Sequence, residues 1–298
     1  MELRDIEIFL TLSAELHFGR TAERLRISQA RVSQAIKQQE RSIGGRLFER
    51  TSRAVRLTPL GDQLRDDLTP HYQGVKESLA RARLSARGVT AVLRIGTIAA
   101  FIHDLDPVWS DFRRRHPQWG LNIRYTQYLD AFAALRRNDM DALICWLPVE
   151  EVDFTVGPLV HTGQRVLAVA HDHPLTRRST VSLERLAEDH GVVTGQPHIP
   201  DYWEDACVPF HTPKGRAIER RVHVATLEDI LMLVGTGQVT HLMRADAPRY
   251  HSRPDLTFVP FEDAPDMRWA LVWRSDSDDN PRVRALAGIF REHGPLRH

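Results

Sequence analysis

At 298 residues with 42% apolar composition, the chain is long enough to bury more than one core, and ordinary domain sizes set an expectation of two or three domains. No stretch approaches the ~20 apolar residues of a membrane span, the first ten residues carry acids instead of a long apolar run, and the only cysteines, Cys145 and Cys207, form no close-spaced pair, so a soluble, cytoplasmic protein without a zinc or disulfide framework is expected. The net charge of +1 hides a division: residues 1–87 hold sixteen Arg and Lys against eleven Asp and Glu, the remainder twenty-four against twenty-eight, and residues 18–57 hold ten basic against three acidic.

Nine of those ten basic residues are arginine, whose planar fork suits phosphate oxygens and guanine edges. A solvated basic face without a partner is the alternative on charge alone. Leu3, Ile6, Phe9, Leu10 and Ser13 recur at helical spacing and predict a first helix running to about Leu16. R-T-A-E-R-L (20–25) predicts a short second helix, and Ser28 is placed to cap a third. On a helical wheel Val32, Ile36 and Ile43 form the inner stripe, with Arg31, Gln34, Lys37, Gln38 and Arg41 opposite and Gln29 and Ser33 near the exposed N-terminal end. Such a helix has the chemistry for a major groove: Gln for adenine, Arg and Lys for guanine or phosphate, Ser for either. Leu47–Arg50 and Val55–Leu57 then predict a hairpin around T-S-R-A, a wing with Arg50, Arg53 and Arg56 on or beside it.

The run F-G-R-T-A-E-R-L-R-I-S-Q-A-R-V-S-Q-A-I-K-Q-Q-E-R-S-I-G-G-R-L-F-E-R, followed by V-R-L-T-P-L-G, closely resembles the N-terminal signature of LysR-type transcriptional regulators, nearly continuously over residues 1–61. The resemblance implies a winged helix-turn-helix DNA-binding domain over residues 1–58 of a sequence-specific transcription regulator. Carried over residue by residue, it points to Gln29, Ser33, Gln34 and Lys37 as recognition-helix contacts and to Arg53 as the wing contact. Arg31, basic where many members carry a small residue, is added from its outward position on the wheel.

Thr58-Pro59 is a helix-start signal. Leu60, Leu64, Leu68, Val75, Leu79 and Ala82 make an apolar seam on the helix that follows, the linker of residues 59–88, and a long charged helix with such a seam seeks a partner. The alternative is packing on its own chain. In the family this helix pairs two subunits, and Pro70 with Gly74 predicts a bend.

Beyond Gly88 short apolar strands (92–96, 121–125, 141–146, 166–170, 192–194, 222–225, 238–242, 269–273) alternate with helical stretches (104–115, 129–137, 182–188, 226–234, 281–293). That texture predicts an α/β architecture with mainly parallel sheets. The resemblance implies an effector-binding domain over 89–298 with two subdomains of periplasmic-binding-protein type, 89–163 with 267–298, and 164–266. Strand ends and helix N-termini are where such sheets bind ligands, which selects Thr97, Ile98, Ala99, Trp146, Thr194, Gln196 and Thr226 as candidate effector contacts. Each has a plainer role open to it: Thr226 as a helix cap, Thr194 serving its own loop, Trp146 in the core. A carboxylate is one candidate effector, held by backbone groups and Thr97.

Gly235-x-Gly237 follows a helix and reads as a stop signal, and His171 with His173 reads as a solvent-exposed turn before Pro174. Neither cofactor nor metal is expected, and the two thiols read as buried, a redox pair being the alternative. No G-x-S-x-G or H-E-x-x-H occurs, so an enzyme is not expected. The partners implied are double-stranded operator DNA, a small-molecule effector, a second copy of the chain in a homodimer or homotetramer, and RNA polymerase. The competing reading is a ligand-binding protein whose basic N-terminus is only an interaction module.

Overall fold

The computed structural model describes residues 2–50, 55–86, 88–188, 192–194, 199–224 and 226–297. The chain divides into two compact units, Met1–Gly88 and Val89–His298.

In the first unit, helix α1 (Leu3–Glu15) opens with a reciprocal capping box between Glu2 and Asp5. Helix α2 (Phe18–Leu25) is capped by His17, whose Nδ1 accepts from the backbone N–H groups of Gly19 and Arg20. Ser28 caps helix α3 (Gln29–Ile43) by accepting from Arg31 N at 3.2 Å. Strands β1 (Phe48–Arg50) and β2 (Val55–Leu57) pair antiparallel as the predicted wing. Ile8, Phe9, Leu12, Val32, Ala35, Ile36, Leu47 and Phe48 close the core. Ile43, assigned by the wheel to the inner stripe, is instead 38% exposed, because the helix ends there at Gly44, whose φ of +83° suits a residue without Cβ.

Two signature residues have local explanations. Glu40 Oε1 accepts from the backbone N–H groups of Leu47 (3.0 Å) and Phe48 (3.3 Å), fastening the wing to α3. Thr58 Oγ1 donates to Arg46 O at 2.8 Å and accepts from Gly61 N at 3.0 Å, so it caps helix α4 (Pro59–Ser85) while tying it to the start of the wing. The helix continues through Pro70. Its apolar seam is divided: Leu64 and Leu68 pack on the three-helix core, while Leu60, Val75 and Leu79 are exposed.

The second unit contains strand β3 (Ala91–Thr97), helix α5 (Asp106–Arg115), strand β4 (Trp119–Tyr125), helix α6 (Ala131–Arg136), and strands β5 (Ala142–Trp146), β6 (Phe154–Gly163), β7 (Arg165–Ala170) and β8 (Val192–Thr194). After these come helix α7 (Asp201–Cys207), strand β9 (Arg220–His223), helix α8 (Leu227–Gly235), strand β10 (His241–Arg244), the short helix α9 (Ala247–Tyr250), strands β11 (Leu256–Pro260) and β12 (Met267–Arg274), helix α10 (Pro281–His293) and strand β13 (Leu296–Arg297). One sheet has the order β13-β6-β12-β5-β3-β4, a second β10-β7-β11, and β8 pairs with β9. The chain crosses from the first sheet to the second at Gln164 and returns between Pro260 and Met267.

The prediction of mainly parallel sheets is corrected. β3 is parallel to β4 and β5, but β12 runs antiparallel to both β5 and β6, and β7 runs antiparallel to both of its neighbours. Strand β6 was hidden in the sequence by Gly157-Pro158. These two residues sit in the gap where the register against β12 shifts, and a Cβ on Gly157 would lie 2.1 Å from the Trp273 ring. Strand β10 begins at His241, three residues beyond the predicted start, because Gly237 (φ +72°) turns the chain after α8. The stretch 182–188 forms a short 3₁₀ turn over Leu183–Ala187. His173 is also corrected: it is buried, its Nδ1 accepting from Leu175 N at 3.2 Å. No helix among the described residues is long and apolar enough to cross a membrane.

Candidate functional site

Two surfaces carry chemistry that the folding core does not use. On the first unit, α3 buries Val32, Ala35, Ile36 and Gln39, Gln39 by donating from Nε2 to Asp5 O at 2.9 Å. That anchoring turns Gln29, Gln34 and Lys37 outward, all exposed, with Ser33 half-buried beside them. Among the described residues none of these four side chains is engaged in a hydrogen bond or ion pair, so their donors and acceptors are available to an external partner. Arg31 is different: its guanidinium lies 3.4 Å from Asp5 Oδ1 and is 42% exposed. On α2, Arg20 and Arg24 are both held by Glu15, which their hydrogen bonds keep below the usual carboxylate range. Arg56 on β2 is exposed, and Arg53 lies outside the described residues.

In the second unit, a cavity of about 190 Å³ opens between the two larger sheets, at the end of β3 and the ends of β5, β10 and β12. Its walls are apolar and aromatic, with Ile98, Ala99, Trp146 and Trp269 on one side and Leu227 and Met243 on the other. Trp146 is set by a reciprocal clasp with Trp203 of α7. Each indole Nε1 donates to the other residue's carbonyl, at 2.9 and 3.0 Å, and the rings stack with centroids 4.0 Å apart. The polar members come from the second sheet and the α8 and α9 segments. Arg244 and Asp246 form a buried two-pronged ion pair, Nε to Oδ1 at 2.8 Å, with the guanidinium 4.2 Å from the Phe101 ring centre. Burial pulls the Arg244 guanidinium below its usual range, the Asp246 hydrogen bond opposing.

His241 is 8% exposed, and burial pulls its imidazole down to about 4, so it is neutral near pH 7. His251, also on the wall, is pulled down by burial first and by Arg244 second. Two atoms of wall residues, His241 Nδ1 and Trp269 Nε1, are buried without a hydrogen-bond partner among the described residues. At the rim Tyr250 donates to Asp104, which Arg249 also approaches at 3.2 Å; burial, then that hydrogen bond, raises the Tyr250 phenol to about 12.

Ile98, Ala99 and Trp146, among the residues selected from sequence, line this cavity. Thr97 does not: it is 1% exposed, its Oγ1 accepts from Ala99 N at 3.1 Å, and it borders a second cavity of about 650 Å³ beside α5. Thr226 caps α8, accepting from Asp229 N at 3.1 Å and donating to Asp229 Oδ2 at 2.7 Å, while its neighbours Leu227 and Glu228 reach the wall. Thr194 belongs to β8, in register opposite His223 of β9, and Gln196 lies outside the described residues. Sequence reasoning missed Glu228, His241, Arg244, Asp246, Tyr250 and Trp269. His241 and Arg244 lie on the strand whose start had been misplaced.

Two family models match these two units. Residues 3–62 match the bacterial regulatory helix-turn-helix protein, lysR family, and residues 86–295 match the LysR substrate binding domain. The chain belongs to the LysR family. It is a DNA-binding transcription regulator with a substrate-binding effector domain. The uncharacterized HTH-type transcriptional regulator YnfL of Escherichia coli (strain K12) is 33% identical over 298 residues, 95% of this chain and 96% of that protein. A probable hydrogen peroxide-inducible genes activator of Mycobacterium avium is 30% identical over 96% of this chain and 92% of its own length. Among solved structures, full-length CbnR complexed with its target DNA matches with a TM-score of 0.58 at 17% identity, covering 98% or more of both chains: 99% of this one and 100% of that one, a likeness of fold.

Proposed function

We propose that this LysR-family chain acts as a cytoplasmic homodimer or homotetramer that reads an operator through α3 and changes its grip when a small molecule fills the cavity between the two sheets. Gln29, Ser33, Gln34 and Lys37 supply base and phosphate contacts, Arg53 the wing contact, and Arg31 joins them by exchanging Asp5 for a phosphate. The observation that carries the reading is the exposed, internally uncommitted polar face of α3, opposite a fully buried apolar one. The exposed Leu60, Val75 and Leu79 on α4 supply the apolar surface for pairing two subunits, which would present two recognition helices to a two-fold related site. Ligand binding would act by favouring one subunit arrangement over another, altering DNA bending and RNA polymerase access. Catalysis has no part in this reading.

A carboxylate effector is poorly served by the end of β3, because the Ala99 N–H that would cradle it is already taken by Thr97 Oγ1. Thiol-based peroxide sensing, suggested by the name of one relative, is disfavoured by the two cysteines. Cys145 is fully buried and burial pushes its thiol up, and Cys207 is pushed up to about 11, chiefly by burial. The reactive form is the thiolate.

The test is a fluorescence-anisotropy titration of the full chain against its own upstream intergenic DNA and a scrambled control over a salt series. Selective binding with a steep salt slope is expected. Gln34→Ala should lose selective binding far more than nonspecific binding, whereas Arg53→Ala should weaken both and flatten the salt dependence. Equal losses for both variants on both DNAs would sink the division of roles.

A further inference from the structure

The cavity between the sheets has an unusual charge inventory for a site at which a carboxylate was one candidate effector. The one guanidinium among its described lining residues, Arg244, is spent on Asp246. His241 is neutral at physiological pH. Glu228 reaches the wall from the first turn of α8, and among the described residues it is ion-paired with no Arg or Lys. Arg244 and Asp246 cancel, so among the described lining residues Glu228, which is solvent-exposed, leaves an excess negative charge. The lining otherwise combines aromatic rings, Trp146, Trp269, Tyr125 and Tyr250, with aliphatic side chains such as Ile98, Leu227 and Met243. The faces of such rings attract cations and stack on planar groups.

Resting on the effector reading above, we propose that the ligand of this cavity is a small planar molecule without negative charge, an aromatic cation being favoured over its neutral analogue and an aromatic carboxylate rejected. Glu228 supplies the counter-charge, and the aromatic rings of the lining supply the flat surface beside it. An aromatic carboxylate would have to sit against Glu228 and Asp246 with no unpaired cation among the described lining residues to offset them.

Three probes of nearly equal size and shape separate the charge states: benzamidine, benzamide and benzoate. Titrated into the full chain and read by tryptophan fluorescence and melting temperature, benzamidine should bind at least about tenfold more tightly than benzamide, and benzoate should not bind. Glu228→Gln should bring benzamidine to the level of benzamide and leave benzamide unchanged, with the ligand-free melting temperature as the check on folding. Benzoate binding as tightly as benzamidine would overturn the ligand class while leaving the cavity as the effector site. Benzamidine binding indifferent to Glu228→Gln would place the probe elsewhere and overturn both. If none of the three binds while operator DNA is still read selectively, the ligand class falls and the regulator reading stands.

Discussion

Replacing Gly61 with alanine tests whether the tie between the wing and α4 holds the first unit together. A Cβ at Gly61 would lie 2.1 Å from the Leu47 carbonyl oxygen and 2.9 Å from Leu57 Cδ2. Leu47 is fully buried, and its carbonyl also accepts from Thr58 N at 3.0 Å, so it cannot retreat without opening the core or losing that bond. The overlap to be relieved is about 1 Å, the scale of misfit at which overpacking costs ~1–3 kcal/mol. Removing glycine from a helix gains ~0.5–1 kcal/mol in the other direction. The net expectation is a loss of about 1–2 kcal/mol, or a fall of roughly 5–15 °C in the melting of an 88-residue unit. All six tryptophans lie beyond residue 88, so their fluorescence reports the second unit and should show an unchanged transition. Far-UV circular dichroism should show an earlier loss of helix, and operator affinity measured on warming should fail at a lower temperature. Gly74→Ala on the same helix, where the Cβ meets nothing within 4 Å, is the control and should be neutral or slightly stabilising. Equal helix-melting midpoints for the two variants would refute the argument.

Glu40→Gln should weaken the wing's attachment by ~1–3 kcal/mol, because a carboxylate oxygen accepting the N–H groups of Leu47 and Phe48 is replaced by a neutral acceptor; hydrogen exchange at those two amides should speed up. His241 makes the second unit sensitive to acid. Its folded value of about 4 lies below the unfolded value of 6.5, so above pH 6.5 it is neutral in both states and has no effect. As pH falls from 6.5 towards 4 the unfolded chain takes the proton first, and stability is lost by up to ~3 kcal/mol. His241→Gln should flatten the fall of the tryptophan-monitored melting temperature across that window, and an unchanged pH profile would show that the ring gains a proton in the fold. Hydrogen peroxide at levels that oxidise free cysteine should leave operator binding unchanged, and mass spectrometry of the intact chain should find Cys145 reduced, since that thiol is fully buried and held protonated; the half-buried Cys207, whose thiol is also pushed up, should oxidise more slowly than an exposed thiol.

The first unit was readable from sequence because its determinants act at short range along the chain. Ser28 serves a helix beginning at the next residue, Glu40 reaches Leu47 and Phe48, and Thr58 meets Gly61 and Arg46. The Ser28 cap and the Thr58-Pro59 helix start were read in this way, while the ties from Glu40 to the wing and from Thr58 to Arg46 appear only in the structure. Ile43 shows the limit even here: its wheel position faces inward, but the helix stops at it and the core has already closed on Val32 and Ile36. The divided seam on α4 follows the same logic. Leu64 and Leu68 are within reach of the three-helix core, while Val75 and Leu79 lie beyond it along the helix axis and remain exposed.

The cavity was legible only as a place. Strand ends pointed to Ile98, Ala99 and Trp146, which do line it, but the residues that determine its chemistry arrive from segments distant in sequence and from strands whose boundaries were obscured. Gly237 moved the start of β10, and that shift decides that His241 and Arg244 bracket the strand. Thr226 was the right segment and the wrong side chain, because a threonine before a helix is claimed by its own cap, leaving Glu228 to reach the cavity. The charge of the site is a still more tertiary property. Counting residues cannot reveal that Arg244 is neutralised by Asp246 two positions away, or that burial keeps His241 uncharged. With Arg244 paired and His241 neutral, the described lining keeps the charge of Glu228 beside aromatic rings where a carboxylate had been one candidate, and the preference between a carboxylate and an amidine of the same shape becomes the measurement on which that reading of the site depends.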